Sequence, residues 1–484
     1  MYMKVYVLPL LLLLVACTPK NTTKEATTQK NNTAQTHPYS PANIQEQIIY
    51  NRAMEAVIWG MPIVNDDLMF QAFKSNGGDF NQIAYWGGLV DWKNQTLTPN
   101  PGTIYFMPFI NTKDVGPMVL EIPATGEDGS MTGNICDFWQ CALEDAGPAG
   151  ADKGKGGKYL ILPPGYKEKI PAGYISLPSA TYQNYALLRS ILKDGSSEGI
   201  AKAIEYGKKV KLYPLSAAAN PSETVFKDMK GKMFDATISY DIRFFQSLDR
   251  IIQIEPWQER DRAFIDILAS IGIKKGQPFN PDAKQQALLE AGIHDANIWI
   301  DDALKTSFPK FYEGGQWLFP GVTDVIKGQS DNYADVNSYP ITARAISYSM
   351  LFIGVKHLGA GQYYLYTPFD KNGKPLRASV NYCLHVPANV PIKQYWSATL
   401  YDAKTHALIR EAQNATISSQ TPALQKNSDG SVDLYFGPKA PAGKESNWID
   451  SGPTKEFEVL MRFYAPEKPL FDKTWRLGDV EEVQ

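Results

Sequence analysis

Thr103-Ile104-Tyr105-Phe106-Met107-Pro108-Phe109 is a short apolar run that opens just after Gly102. Runs of this kind, apolar or alternating and bounded by Gly and Pro, read as strands. Met118–Ile122, 159–162 and 182–192 repeat the pattern, so the segment from about 83 to 190 reads as a β-sandwich. Upstream, Asn43 caps a helix whose apolar positions Ile44, Ile48, Ala53, Ala56, Val57 and Trp59 fall at helical spacing, until Gly60 and Pro62 break or kink it. Downstream, helical spacing takes over near Gly199. Ile242, Phe245, Leu248, Ile251 and Ile252 form one stripe, Phe264, Ile267, Leu268 and Ile271 another, and Asn280-Pro281 supplies a cap and first position for a third helix. A last helix, about 342–355, ends near Gly359. Runs at 363–366, 379–385, 398–401, 432–436 and 457–464 then read as strands. The predicted fold is mixed, mainly β with a helical middle: an N-terminal helix and sandwich over 41–195, a helical bridge over 196–360 and a C-terminal β domain over 361–484.

Leu14-Val15-Ala16-Cys17 closes a short apolar leader flanked by Lys4. That order of residue types reads as a bacterial lipoprotein signal over 1–16, with lipidation expected at Cys17. Residues 17–40, rich in Thr, Asn, Gln and Lys, bury too little apolar surface to offset their ordering entropy and read as a tether. The expected address is the cell envelope, on the outer membrane or facing the periplasm, with the lipid as the membrane contact. A net charge of −3 argues against nucleic acid as a partner, because phosphate contacts need clustered positive charge. Cys136, Cys141 and Cys383 remain once Cys17 is assigned to lipid; the spacing fits neither CxxC nor zinc, so no metal or cofactor is expected. Cys136 and Cys141 could close a small loop or remain buried thiols.

Gly195-Ser196-Ser197-Glu198-Gly199 satisfies GxSxG, but the flanking segments do not alternate strand and helix as the nucleophile elbow requires. A helix cap at Ser196 or Ser197 is the better reading. The five histidines form no close pair, and His385, on an expected strand, reads as packed or hydrogen-bonded. Asp66-Asp67, Glu144-Asp145 and Asp301-Asp302 are adjacent in sequence, which does not make a catalytic cleft. Tyr and Trp residues interleaved with Asn, Gln and Thr suit a partly apolar ligand such as a sugar, although cross-strand packing accounts for most aromatic residues in β domains.

Leu97-Thr98-Pro99-Asn100-Pro101-Gly102-Thr103-Ile104-Tyr105, Gly116-Pro117-Met118-Val119-Leu120 and Tyr159-Leu160-Ile161-Leu162-Pro163-Pro164-Gly165-Tyr166 resemble the bacterial domain of unknown function 1254. Trp396-Ser397-Ala398-Thr399-Leu400-Tyr401-Asp402, Asp433-Leu434-Tyr435-Phe436-Gly437-Pro438, Asn447-Trp448 and Phe471-Asp472-Lys473-Thr474-Trp475-Arg476 resemble its usual companion, domain of unknown function 1214. The resemblance implies an immunoglobulin-like sandwich, a helical domain, a C-terminal jelly roll and a homo-oligomer, with a trimer as the specific expectation. It implies no reaction. Many relatives carry Asp where this chain has Gly102. The expected function is therefore ligand binding or assembly, with Asn100, Thr103, Tyr105, Trp139, Trp396, Thr399 and Tyr401 as candidate contacts to a small molecule or carbohydrate. The rival expectation is a hydrolase or acid/base enzyme using Tyr105, Asp137 and His385 or His406 in a cleft between the β domains.

Overall fold

The computed structural model describes residues 39–351, 355–357 and 361–483; Cys17 and the expected leader and most of the tether lie outside them. A six-stranded sheet runs in the order Phe226–Asp228, Gln82–Tyr85, Ile104–Asn111, Gln183–Ser190, Met131–Asp137, Ala142–Ala146. A four-stranded sheet, Lys211–Pro214, Met118–Ile122, Gly157–Leu162, Ile175–Pro178, packs against one face of it. Strand residues alternate between faces. Accordingly Ile104, Phe106, Ile135 and Leu188 join Leu120, Tyr159 and Ile161 in the sandwich core, while Tyr105, Met107, Phe109 and Leu187 turn the other way.

That second face meets helices. Helix Ile44–Ser75 is 32 residues long, about 48 Å at 1.5 Å per residue, and Asn43 caps it by accepting the Gln45 and Glu46 N–H groups. Gly60 and Pro62, expected from sequence to break or kink it, do not break it: the helix runs through both. Packing outweighs the local cost of the proline. The segment around it is buried on every side, the Pro62 carbonyl accepts Gln140 Nε2 at 2.6 Å, and a Cβ at Gly60 would come within 3.1 Å of Leu248, so glycine permits the close approach of helix Ile242–Ile254. Helices Phe264–Ser270, Ala283–Thr306, Thr323–Asp331 and Ile341–Met350 complete the helical layer. Helix Ala283–Thr306 is capped by Asp282 instead of Asn280, through Gln285 N–H. Ser196 caps helix Ser197–Gly207 through Gly199 N–H at 3.0 Å, which gives the GxSxG segment a structural role. The helical spacing after Gly199 is interrupted: Lys211–Pro214 and Phe226–Asp228 return to the N-terminal sheets.

The C-terminal region stacks two four-stranded sheets. One is ordered Gln362–Thr367, Phe457–Tyr464, Trp396–Asp402, Thr416–Ser418; the other, Trp448–Asp450, Val432–Gly437, Tyr382–Val386, Glu481–Glu482. Trp396, Ala398, Leu400, Met461 and Phe463 fill the core between them. The alternate residues of the first sheet, Tyr364, Thr399, Tyr401, Glu458, Leu460, Arg462 and Tyr464, therefore share its other face. The fold is mixed and mainly β with a helical middle, and no helix among the described residues is long and apolar enough to cross a membrane.

Candidate functional site: a cavity between the two sandwiches

Where the second face of the N-terminal sheet, the helical layer and the outward face of the C-terminal sheet meet, they enclose a cavity of about 440 Å³. Small-molecule sites commonly span about 300–1,000 Å³. The segment Leu97-Thr98-Pro99-Asn100-Pro101-Gly102-Thr103 forms part of its wall. Pro99 and Pro101 have no N–H to donate, so few backbone donors need partners. Asn100 N–H donates to the Tyr105 hydroxyl at 2.8 Å, and Gly102 N–H donates to Asn100 Oδ1 at 2.9 Å. The orphan carbonyls are met from the C-terminal sheet. Arg462 Nη2 donates to Thr98 O at 3.0 Å, and Tyr401 Oη donates to Pro99 O at 2.6 Å. Thr98 itself sits at φ 37°, a left-handed conformation that costs a β-branched residue on the order of 1–3 kcal/mol, and its N–H donates to the His406 carbonyl at 2.7 Å.

Two arginines reach the cavity, one from each sheet. Arg189 lies between Tyr105 and Thr132 in register across three strands, and its guanidinium stands 5.6 Å from the Tyr105 ring centroid. Arg462 lies between Tyr364 and Ser397 and donates to Thr399 Oγ1 at 3.0 Å and to the Tyr401 hydroxyl at 2.6 Å. Arginine keeps its proton in a protein interior. The surrounding phenols stay neutral: burial raises Tyr464 and Tyr395 above their ordinary value and pushes Tyr401 up to about 12. The remaining wall is largely apolar, with Met69, Met107, Leu187, Val325 and Leu351 prominent. Asp145 also borders it, two strands and two residues of register from Arg189, or roughly 12 Å at the usual strand spacing and rise. Its carboxylate accepts the Lys356 and His357 N–H groups at 3.0 and 2.6 Å, and burial raises its pKa.

The candidate residues from sequence divide into three groups. Asn100, Thr103 and Tyr105 line the cavity, with Thr103 Oγ1 donating to Ser190 O at 3.1 Å. Thr399 and Tyr401 stand behind it and orient Arg462. Trp396 and Trp139 belong to cores: Trp396 faces the interior of the C-terminal sandwich, and the Trp139 ring lies 4.7 Å from Trp59. The acid/base set is not brought together. Asp137 is buried at the Cys136–Cys141 turn, accepting Cys141 N–H at 2.9 Å, and both cysteines are buried thiols. His406 is buried against Glu458, at 2.9 Å, while His385 is exposed on the opposite sheet of the C-terminal sandwich, 2.7 Å from Asp433. The histidine that does border the cavity is His357, whose Nε2 lies 2.8 Å from Glu144 Oε1. Sequence reading missed Arg189, Arg462 and His357. A signal for the arginines existed: each interrupts an apolar run, in Ala186-Leu187-Leu188-Arg189 and Val459-Leu460-Met461-Arg462-Phe463.

Residues 80–214 match the family described as protein of unknown function DUF1254, and residues 361–468 match protein of unknown function DUF1214. The chain belongs to the family that pairs these two domains. The paired domains carry the cavity's two arginines or their immediate surroundings, Arg189 in the first and Arg462 in the second. No curated protein sequence matches the chain. Among solved structures, the VPA0106 protein from Vibrio parahaemolyticus is similar over 90% of this chain and 100% of its own, at 16% identity and a TM-score of 0.54. An uncharacterised protein from Burkholderia cenocepacia aligns over 91% of this chain and 95% of its own, at 11% identity and a TM-score of 0.41. The first likeness concerns the fold alone.

Proposed function

We propose that this member of the DUF1254–DUF1214 family is a lipid-anchored envelope protein that holds a small organic ligand in the cavity between its two sandwiches and does not transform it. The observation that carries the reading is the cavity itself, about 440 Å³, walled by both family domains and the helical layer, with a few polar groups set in an apolar lining. Such a composition is that of a small-molecule site. The scatter of Asp137, His385 and His406 away from it favours binding over acid/base chemistry. The envelope address rests on Leu14-Val15-Ala16-Cys17.

Native mass spectrometry of protein purified from the periplasmic side, without refolding, tests the proposal. The expected result is a co-purifying organic molecule at one per chain, released on denaturation, with the total mass reading the subunit number. Turnover of any compound by the purified protein, abolished by substitution of a cavity residue, would overturn it.

A further inference from the structure

Arginines in this protein mostly find carboxylates. Arg243 pairs with Asp241 at 2.6 Å, Arg250 with Asp67 at 2.5 Å, Arg260 with Asp261 at 3.5 Å and Arg410 with Asp235 at 2.7 Å. Even Arg344, buried beneath the helices, feels the charges of Asp137 and Asp261. Arg189 and Arg462 are different. Neither forms an ion pair among the described residues: Arg189 stands 5.6 Å from the Tyr105 ring, and Arg462 stands 5.5 and 5.6 Å from the Tyr364 and Tyr401 rings, its hydrogen bonds going to hydroxyls and backbone carbonyls. Asn100 links their surroundings, its N–H donating to the Tyr105 hydroxyl and its Nδ2 to the Tyr464 hydroxyl while Arg462 holds the nearby Thr98 carbonyl, so the two guanidiniums share one end of the cavity.

Drawing a cation out of water is unfavourable, and an uncompensated pair in one cavity adds mutual repulsion. Phenol faces and neutral acceptors offset part of this, since a cation is attracted to the face of an aromatic ring. They leave the charge in place. An oxyanion would neutralise it, and guanidinium forks match carboxylate and phosphate oxygens in a planar, two-bond geometry. Thr132 Oγ1, beside Arg189 in register and on the cavity wall, is buried without a hydrogen-bond partner and adds a hydroxyl donor at the same end. The rest of the lining is mostly apolar, with Met69, Met107, Leu187, Val325 and Leu351 among a few polar groups such as Gln329 and Asp145, and among the described residues it offers no further Arg or Lys side chain.

We infer that the cavity takes an amphipathic oxyacid, an apolar chain or ring carrying one carboxylate or phosphate, with its head between Arg189 and Arg462 and its apolar body against Met69, Met107 and Leu187. This rests on the reading of the cavity as a ligand site. A neutral sugar would leave both charges uncompensated, and an inorganic anion would leave the apolar wall uncovered.

Calorimetric titration with decanoate, decyl phosphate and decanol tests it, on the wild-type protein and on Arg189→Gln and Arg189→Lys. Arg189 is the residue to change because Arg462 also holds the Thr98 and Pro99 carbonyls. At least one of the two anions should bind one per chain and at least about ten times more tightly than decanol. Arg189→Gln should lose ten-fold or more of that affinity, and Arg189→Lys should recover part of it. Preference for decyl phosphate over decanoate would assign the head as phosphate, and the reverse as carboxylate. Equal binding of decanol and the anions, or unchanged anion binding by a folded Arg189→Gln protein, would overturn the oxyacid assignment while leaving the cavity as a ligand site. Failure of all three probes to bind, together with a protein that purifies empty, would overturn both.

Discussion

At the scale of single residues, Gly102 is the position through which this chain departs from the pattern it otherwise resembles. A Cβ there would meet Asn100 Oδ1 at 3.2 Å and the Tyr395 hydroxyl at 3.6 Å, so a side chain would enter the arginine end of the cavity after a shift of a few tenths of an ångström. An aspartate would supply the anion that Arg189 and Arg462 lack. Gly102→Asp should therefore weaken decanoate or decyl phosphate binding by ten-fold or more while raising the melting temperature of the ligand-free protein, because it replaces an external counter-ion with an internal one. Undiminished affinity in calorimetry would place the anionic head elsewhere. The significance of Gly102 was readable in the sequence as a missing carboxylate, but not its consequence. That depends on Arg462, which lies in contact with the Thr98–Pro99 segment although hundreds of residues separate them.

At the scale of elements, the helix Ile242–Ile254 shows how packing turns a polar residue into a structural fastener. Glu255, its C-terminal cap, accepts the N–H groups of Tyr182 and Gln183 at 2.7 and 2.9 Å and so pins the helix end to the start of strand Gln183–Ser190. Burial raises its pKa from 4.5 to about 7 despite those two donors, with Asp137 adding to the rise and Lys275 opposing it. A carboxyl whose pKa is raised by folding binds more protons in the native state than in the unfolded one. Stability contributed by this group is thus present below about pH 4.5 and falls as pH rises towards about 7, by roughly 3 kcal/mol in all at 1.36 kcal/mol per unit. Glu255→Gln should flatten that descent in denaturant titrations at pH 5, 6 and 7; an unchanged slope would show that Asp66 or Asp137, also raised by burial, governs it. Elements bounded by strong local signals were legible in the sequence, as with Met118–Ile122 between Gly116-Pro117 and Pro123, and the stripe from Ile242 to Ile252. The continuation of the first helix through Pro62 was not, because the compensation comes from Gln140 and Leu248 on distant segments. Phe226–Asp228 escaped notice for another reason: it is three residues long and joins its sheet by parallel pairing with Gln82–Tyr85.

At the scale of the whole molecule, the segment from Gln95 to Asn100 belongs to the N-terminal half by sequence and to the C-terminal half by hydrogen bonding. Gln95 Nε2 donates to Leu408 O at 2.7 Å, Thr98 N–H to His406 O, and Asn100 Nδ2 to the Tyr464 hydroxyl, while Arg462 and Tyr401 hold the Thr98 and Pro99 carbonyls. If the C-terminal sandwich opened alone, these buried groups would lose their partners together, at about 1–3 kcal/mol for each one left unsatisfied. The two sandwiches should therefore open as one cooperative unit. Native-state hydrogen exchange read by mass spectrometry should give matching opening free energies for peptides covering Gln183–Ser190 and Phe457–Tyr464. Tyr401→Phe, which deletes the donor to Pro99 O, should lower both by the same amount, about 1–3 kcal/mol. Loss of protection in Phe457–Tyr464 alone would mean that the sandwiches unfold independently. In that case the cavity wall would be assembled only part of the time, and ligand affinity would fall by the fraction of molecules with the wall open.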